Sequence, residues 1–135
     1  EIEEAYAYSH SLKLNTEPRR MWSWVQFAGS VWDVQPEPIS VNYQFWAHIA
    51  AGAKGMEWFV AQSQTLDEFP EQWAEGEKLF KELKQIRYAC LYGEPSNVVS
   101  SNNPNVLVYA LQGPEAMVIV AFNNSVEFSG NALAG

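Results

Sequence analysis

Two short apolar runs, residues 21–27 and 56–61, are each followed by a segment of helical periodicity, and beyond Gly93 that alternation stops. This order constrains the fold more than any single motif does. Strands separated by a dozen or more helical residues return in parallel, because a parallel pair needs a crossover, whereas strands joined by a tight turn pair antiparallel. The run 21–27 is dense in Trp, Val and Phe and reads as a buried strand, with Trp22 and Trp24 expected in core packing. Residues 28–38 carry Gly29, Asp33, Pro36 and Pro38, which resist both helix and ladder and mark a loop. From Ser40, the expected N-cap, Val41, Phe45, Ile49 and Gly52 recur at helical spacing, and Gly52 and Gly55 are expected to close that helix. After the second apolar run comes a polar stretch with the loop carboxylates Asp67 and Glu68. Pro70 suits the first turn of another helix, whose core-facing stripe is Trp73, Leu79, Phe80, Leu83, Ile86 and Cys90. Glu77 with Lys81, and Lys78 with Glu82, are its expected surface pairs. An incoming amphipathic helix is expected over residues 2–13.

Past Gly93, Pro95 and Ser96 the regime changes. Residues 106–111 and 116–122 are β-rich runs joined by Gln112-Gly113-Pro114-Glu115, which is hairpin chemistry, so a domain boundary is expected near 93–97. The sequence thus predicts an α/β unit with only two parallel strands. So small a sheet cannot cover the apolar faces of three helices, which implies partners outside the chain or exposed hydrophobic surface. A start without Met and a small-residue end raise the expectation of a piece of something longer.

Charge excludes two classes of partner. With 8 Lys plus Arg against 16 Asp plus Glu, the net charge of -8 opposes attraction to phosphate backbones and anionic lipid, so neither nucleic acid nor a membrane is an expected partner. The single cysteine, Cys90, reads as a small buried hydrophobe. With His10 and His48 as the two histidines, in no recognisable motif, neither a metal site nor a cofactor is expected.

The residues carry a resemblance. Met21-Trp22-Ser23-Trp24-Val25-Gln26-Phe27, a Pro-containing loop, and then a helix leading into Gly52-Ala53-Lys54-Gly55-Met56-Glu57-Trp58-Phe59 resemble the last two strands of β-galactosidase-like glycoside hydrolases of the (β/α)8-barrel superfamily. Leu79-Phe80-Lys81-Glu82-Leu83 is similar to their final barrel helix, and the hairpin ending Val120-Ala121-Phe122-Asn123 to the start of the β-domain that follows. The resemblance implies a partial (β/α)8 TIM barrel, its last two β/α units, over residues 1–95. An incomplete antiparallel β-sandwich would follow over 96–135. It also implies a carbohydrate substrate and, as partner, the remainder of the same barrel. Gln26 stands where related retaining enzymes carry a nucleophilic Glu, and their general acid comes from the fourth strand, outside this segment.

Glycoside cleavage needs two carboxyl groups, which in a barrel sit at strand C-terminal ends. Glu57 is the carboxylate on the two strands, read either as catalytic or as structural and paired with a base from another strand. Gln26, Phe27, Trp32 and Gln62 occupy late-strand or loop positions from which an amide reaches sugar hydroxyls and a ring covers an apolar sugar face. For Phe27 and Trp32 packing is the alternative reading. The expected activity is hydrolysis of O-glycosidic bonds with catalytic machinery completed from outside the segment. The alternative is a non-catalytic carbohydrate-binding or structural protein on a barrel scaffold.

Overall fold

Strand β1 (Trp22–Gln26) lies parallel to β2 (Gly55–Phe59), with Trp22 opposite Gly55, Trp24 opposite Glu57, and Gln26 opposite Phe59. The structure, a computed structural model, describes residues 21–27, 35–59 and 65–124. The expected helix over 2–13 lies outside these.

The crossover between the strands is helix α1 (Pro38–Ala50). It begins two residues before Ser40, the expected cap: Pro38 takes the first turn, where a missing N–H costs nothing, and extended Glu37 precedes it. The helix ends at Ala50, and Gly52, at φ 95°, makes the reversal that L side chains rarely adopt. Gly55, expected to close the helix, instead opens β2. A Cβ there would lie 2.5 Å from the Trp22 ring, so the indole rests directly on the glycine backbone.

Strand periodicity then divides the sheet into two unlike faces. Val25 and Phe27 are fully buried with Trp58 packed against them, while Trp22 and Trp24 are 63% and 64% exposed. This corrects the expectation that both tryptophans pack in a core: helices cover one face of the sheet, and the two indoles stand on the other.

Asp67 and Glu68, expected in a loop, fall in the single turn α2 (Thr65–Glu68), and Pro70 opens the long helix α3 (Pro70–Tyr92) as expected. Gly76 of α3 is buried because the Phe27 ring fills the place of its side chain, 2.9 Å from where a Cβ would stand. Leu79 is fully buried, but its neighbour Phe80 is 46% exposed and meets Phe45 and Trp58 edge-on, so the stripe is narrower than its apolar residues suggested. Glu77 pairs with Lys81 at 3.3 Å. Lys78 reaches back to Glu75 at 3.1 Å in place of the expected Glu82.

A short strand β3 (Glu94–Ser96) pairs antiparallel with β4 (Val106–Gln112), which pairs antiparallel with β5 (Met117–Asn123). The hairpin is as the sequence predicts; β3 was not expected, since Pro95 lacks an N–H, but an edge strand tolerates that. Leu111, Val118, Val120 and Phe122 join Val25, Phe27, Val41, Phe45 and Leu79 in one continuous core. Tyr43 of α1 meets the edge of Phe122 at 5.9 Å.

Lys54 ties the two sheets together. Its side chain is 6% exposed, and its ammonium donates to the carbonyls of Cys90 at 3.0 Å and of Gly93, with Glu94 at 3.7 Å. These carbonyls lie at the end of α3, where a helix lacks internal donors and its dipole is negative. Lys54 of the Gly-Ala-Lys-Gly segment is therefore a structural cation. Lys54→Met is expected to lower stability by about 2 kcal/mol, since hydrogen bonds from a charged group contribute ~1.5–3 kcal/mol and their loss orphans buried carbonyls. Urea unfolding checks this, and an unchanged midpoint would refute it.

Candidate functional site

Alternation on two parallel strands in register puts residues 22, 24 and 26 beside 55, 57 and 59 on the face that none of the described helices covers. Across this face Trp24 and Phe59 stack with centroids 5.4 Å apart and planes within 4°. Trp22 lies over Gly55, leaving the outer side of its indole to solvent. Glu57 falls between these two features: Gly55 precedes it by two residues, Phe59 follows by two, and Trp24 is its cross-strand partner. It is exposed, and no hydrogen bond or ion pair joins it to another of the described residues.

No cation shares the face among the described residues. Lys54 is turned to the Cys90 and Gly93 carbonyls, and Lys78, Lys81, Lys84 and Arg87 are on α3. Gln26, half-buried, ends β1; its backbone N–H is taken by Gln44 Oε1 of α1 at 3.2 Å. Chemically, the arrangement offers ring faces, an amide and one free carboxylate.

The site residues expected from sequence thus separate. Gln26 and Glu57 come together on the open face. Phe27 does not join them: it is fully buried against Trp58 at 4.7 Å and Trp73 at 5.6 Å, so the packing reading replaces the sugar contact. The reason is parity, since Phe27 follows Gln26 by one position and points to the opposite face. Trp32 and Gln62 lie outside the described residues. Glu57 is exposed in this chain; the base that would pair with it in the structural reading was expected from a strand outside the segment. Trp22, Trp24 and Phe59 belong to the face and were missed; the period of two applied to both strands at once would have found them.

A second concavity, of about 350 Å³, lies at the other end of β2 between the close of α1 and α3, lined by Ile49, Met56, Phe80, Leu83 and Tyr88. Its surface is mostly apolar, with Lys54 and Arg87 also in the lining, and it adjoins the N-terminal end of the strand.

Elsewhere, reactive groups are damped. Burial pushes the Cys90 thiol up to about 11, against the opposing pull of the Lys54 charge, so it is neutral and not nucleophilic at ordinary pH. Burial brings His48 down from 6.5 to about 4. Ser23 is buried, and its hydroxyl has no hydrogen-bond partner among the described residues. Among the described residues no group of three or more His, Cys, Asp or Glu is placed to hold a metal ion, and no helix is long and apolar enough to cross a membrane. No family model, no curated protein and no solved structure matches the chain.

Proposed function

We propose that this chain is part of a glycoside hydrolase of the β-galactosidase-like (β/α)8-barrel kind. It supplies the last two β/α units and one wall of a sugar cleft, and residues from about 96 onward open a C-terminal β-domain. The observation that supports this reading is the bare, aromatic face of a parallel sheet whose other face is covered by helices. Parallel sheets ordinarily have both faces covered, because crossover helices fall on them. In a barrel the bare face is the interior, and substrate meets the C-terminal ends of its strands. On this reading Gln26 and Phe59 stand at the substrate end, Glu57 lies one layer below, and the free strand edges pair with the remainder of the barrel. Hydrolysis requires a second carboxyl group from that remainder.

One observation favours a second reading, a non-catalytic carbohydrate-binding or structural protein. The strand-terminal position is an amide, Gln26, and Glu57 is the sole carboxylate of the described face.

The coding sequence around this segment and the activity of its product test both. Further strand-helix units with a strand-terminal Glu are expected upstream, and the whole product should cleave aryl glycosides while the 135-residue chain alone does not. Turnover by the chain alone, lost in Glu57→Gln, would overturn this division of labour. A whole product that binds sugars without cleaving them would establish the second reading.

A further inference from the structure

Resting on the sugar-wall reading, we infer that Gln44 of α1 is a positioning residue for the substrate end of β1. It holds the Gln26 backbone from the crossover helix and leaves that residue above the outer ladder, where its amide meets substrate.

The inference starts from the direction of one N–H. Phe27 N–H donates to the Phe59 carbonyl at 2.7 Å, which turns it toward β2. Backbone groups alternate along a strand, so the Gln26 N–H points the other way, to the outer edge of β1 where the next strand of a barrel would lie. Gln44 Oε1 accepts it there, at 3.2 Å. A backbone N–H is a single donor, so while that bond stands no neighbouring strand's carbonyl takes it in full. The outer ladder therefore loses a rung at the last residue of β1, and in a barrel that is the layer substrate meets.

Gln44 owes this reach to its place on the helix. It follows Val41 by three positions and precedes His48 by four, and both of these are buried. Half-buried itself, it borders the stripe that packs on the sheet and reaches a strand edge without entering the core. The first turns of α1 are pinned in turn to α3. Asn42 Nδ2 donates to Glu75 Oε1 at 2.6 Å, and Gln72 Nε2 donates to the Pro36 carbonyl just ahead of the helix at 2.9 Å. The path from α3 through Gln44 to Gln26 is a strut, and a contact group is held only as well as the groups behind it. An amide that must meet a sugar hydroxyl in the transition state tolerates little displacement.

The test has two arms. In the 135-residue chain, amide exchange at Gln26 is expected to speed up about tenfold in Gln44→Met, which keeps the length of the side chain and removes its amide oxygen, and to stay slow in Gln44→Glu. The Phe27 N–H, bonded within the strand pair, is the internal reference: equal acceleration of both amides would mean a general loosening and would overturn the strut. In the whole product, Gln44→Met is expected to lower kcat for p-nitrophenyl β-galactoside about tenfold, with KM changed less. Gln44→Glu should keep most of the rate. Because Gln44 acts through Gln26, the loss should vanish when Gln44→Met is made in a Gln26→Ala background. Equal losses in the two backgrounds, or no loss in either, would overturn the positioning role and leave the sugar wall standing. A whole product inactive on aryl glycosides would overturn the hydrolase reading and this role with it, whatever the exchange rates show.

Discussion

Phe27→Ala is expected to destabilise the fold by about 4 kcal/mol, in the range for deleting a large aromatic ring from a packed core. The ring is fully buried, lies 4.7 Å from Trp58 and 5.6 Å from Trp73, and occupies the space that Gly76 leaves open on α3. Its removal empties a junction where β1, β2 and α3 all meet, and no neighbouring side chain is long enough to fill it from Gly76. A smaller collapse cost is available at positions backed by flexible chains; here the neighbours are two indoles and a glycine. The measurement is the free energy of unfolding in urea, set beside Trp24→Ala. Because Trp24 is largely exposed, its loss should cost no more than about 1 kcal/mol. If the order were reversed, the assignment of the two faces would be wrong.

The second large effect is an acid-induced loss of stability at His48. Burial holds its imidazole at about 4 against an ordinary 6.5, because the charged form has been stripped of water. In the unfolded chain the group protonates as pH falls through 6.5, while in the folded chain it stays neutral until about 4. The unfolded state therefore binds more protons across that window, and stability falls with pH from about 6.5 to about 4 and then levels for this group. The folded group's depressed value corresponds to a loss of about 3 kcal/mol at completion. Unfolding free energies at a series of pH values should show this slope, and His48→Gln should flatten it across the same window whatever it does to stability at neutral pH. A slope that survives the substitution would place the acid sensitivity in the carboxylates.

Much of the backbone was legible in the sequence because it rests on local signals. Pro70 at the start of α3, the Gln112 to Glu115 turn between β4 and β5, and the apolar runs of β1 and β2 each announce themselves within a few residues. What escaped depends on which face of an element meets another. Trp22 and Trp24 read as core because tryptophan in a strand is usually covered, and no local pattern says that α1 and α3 cover one face only. Strand β3 escaped because Pro95 argues against a ladder, and only its pairing with Leu111 at the sheet edge makes the strand possible. At the site, Glu57 and Gln26 were found by residue chemistry. Phe27 was misplaced by one position of strand parity, and the ring bracket around Glu57 required two strands to be read in register.

The single core shared by the parallel and antiparallel sheets also sets an order in time. The β4–β5 hairpin closes through a short turn, and such a unit forms in about 1–10 μs. Its docking contact, Tyr43 against Phe122, joins residues separated by most of the described chain, and contacts of that kind form late because a long loop must close first. Between the two events Leu111, Val118, Val120 and Phe122 have no cover. During that interval a hairpin edge from one molecule can meet the bare helices of another, so the yield of refolded protein should fall steeply with concentration.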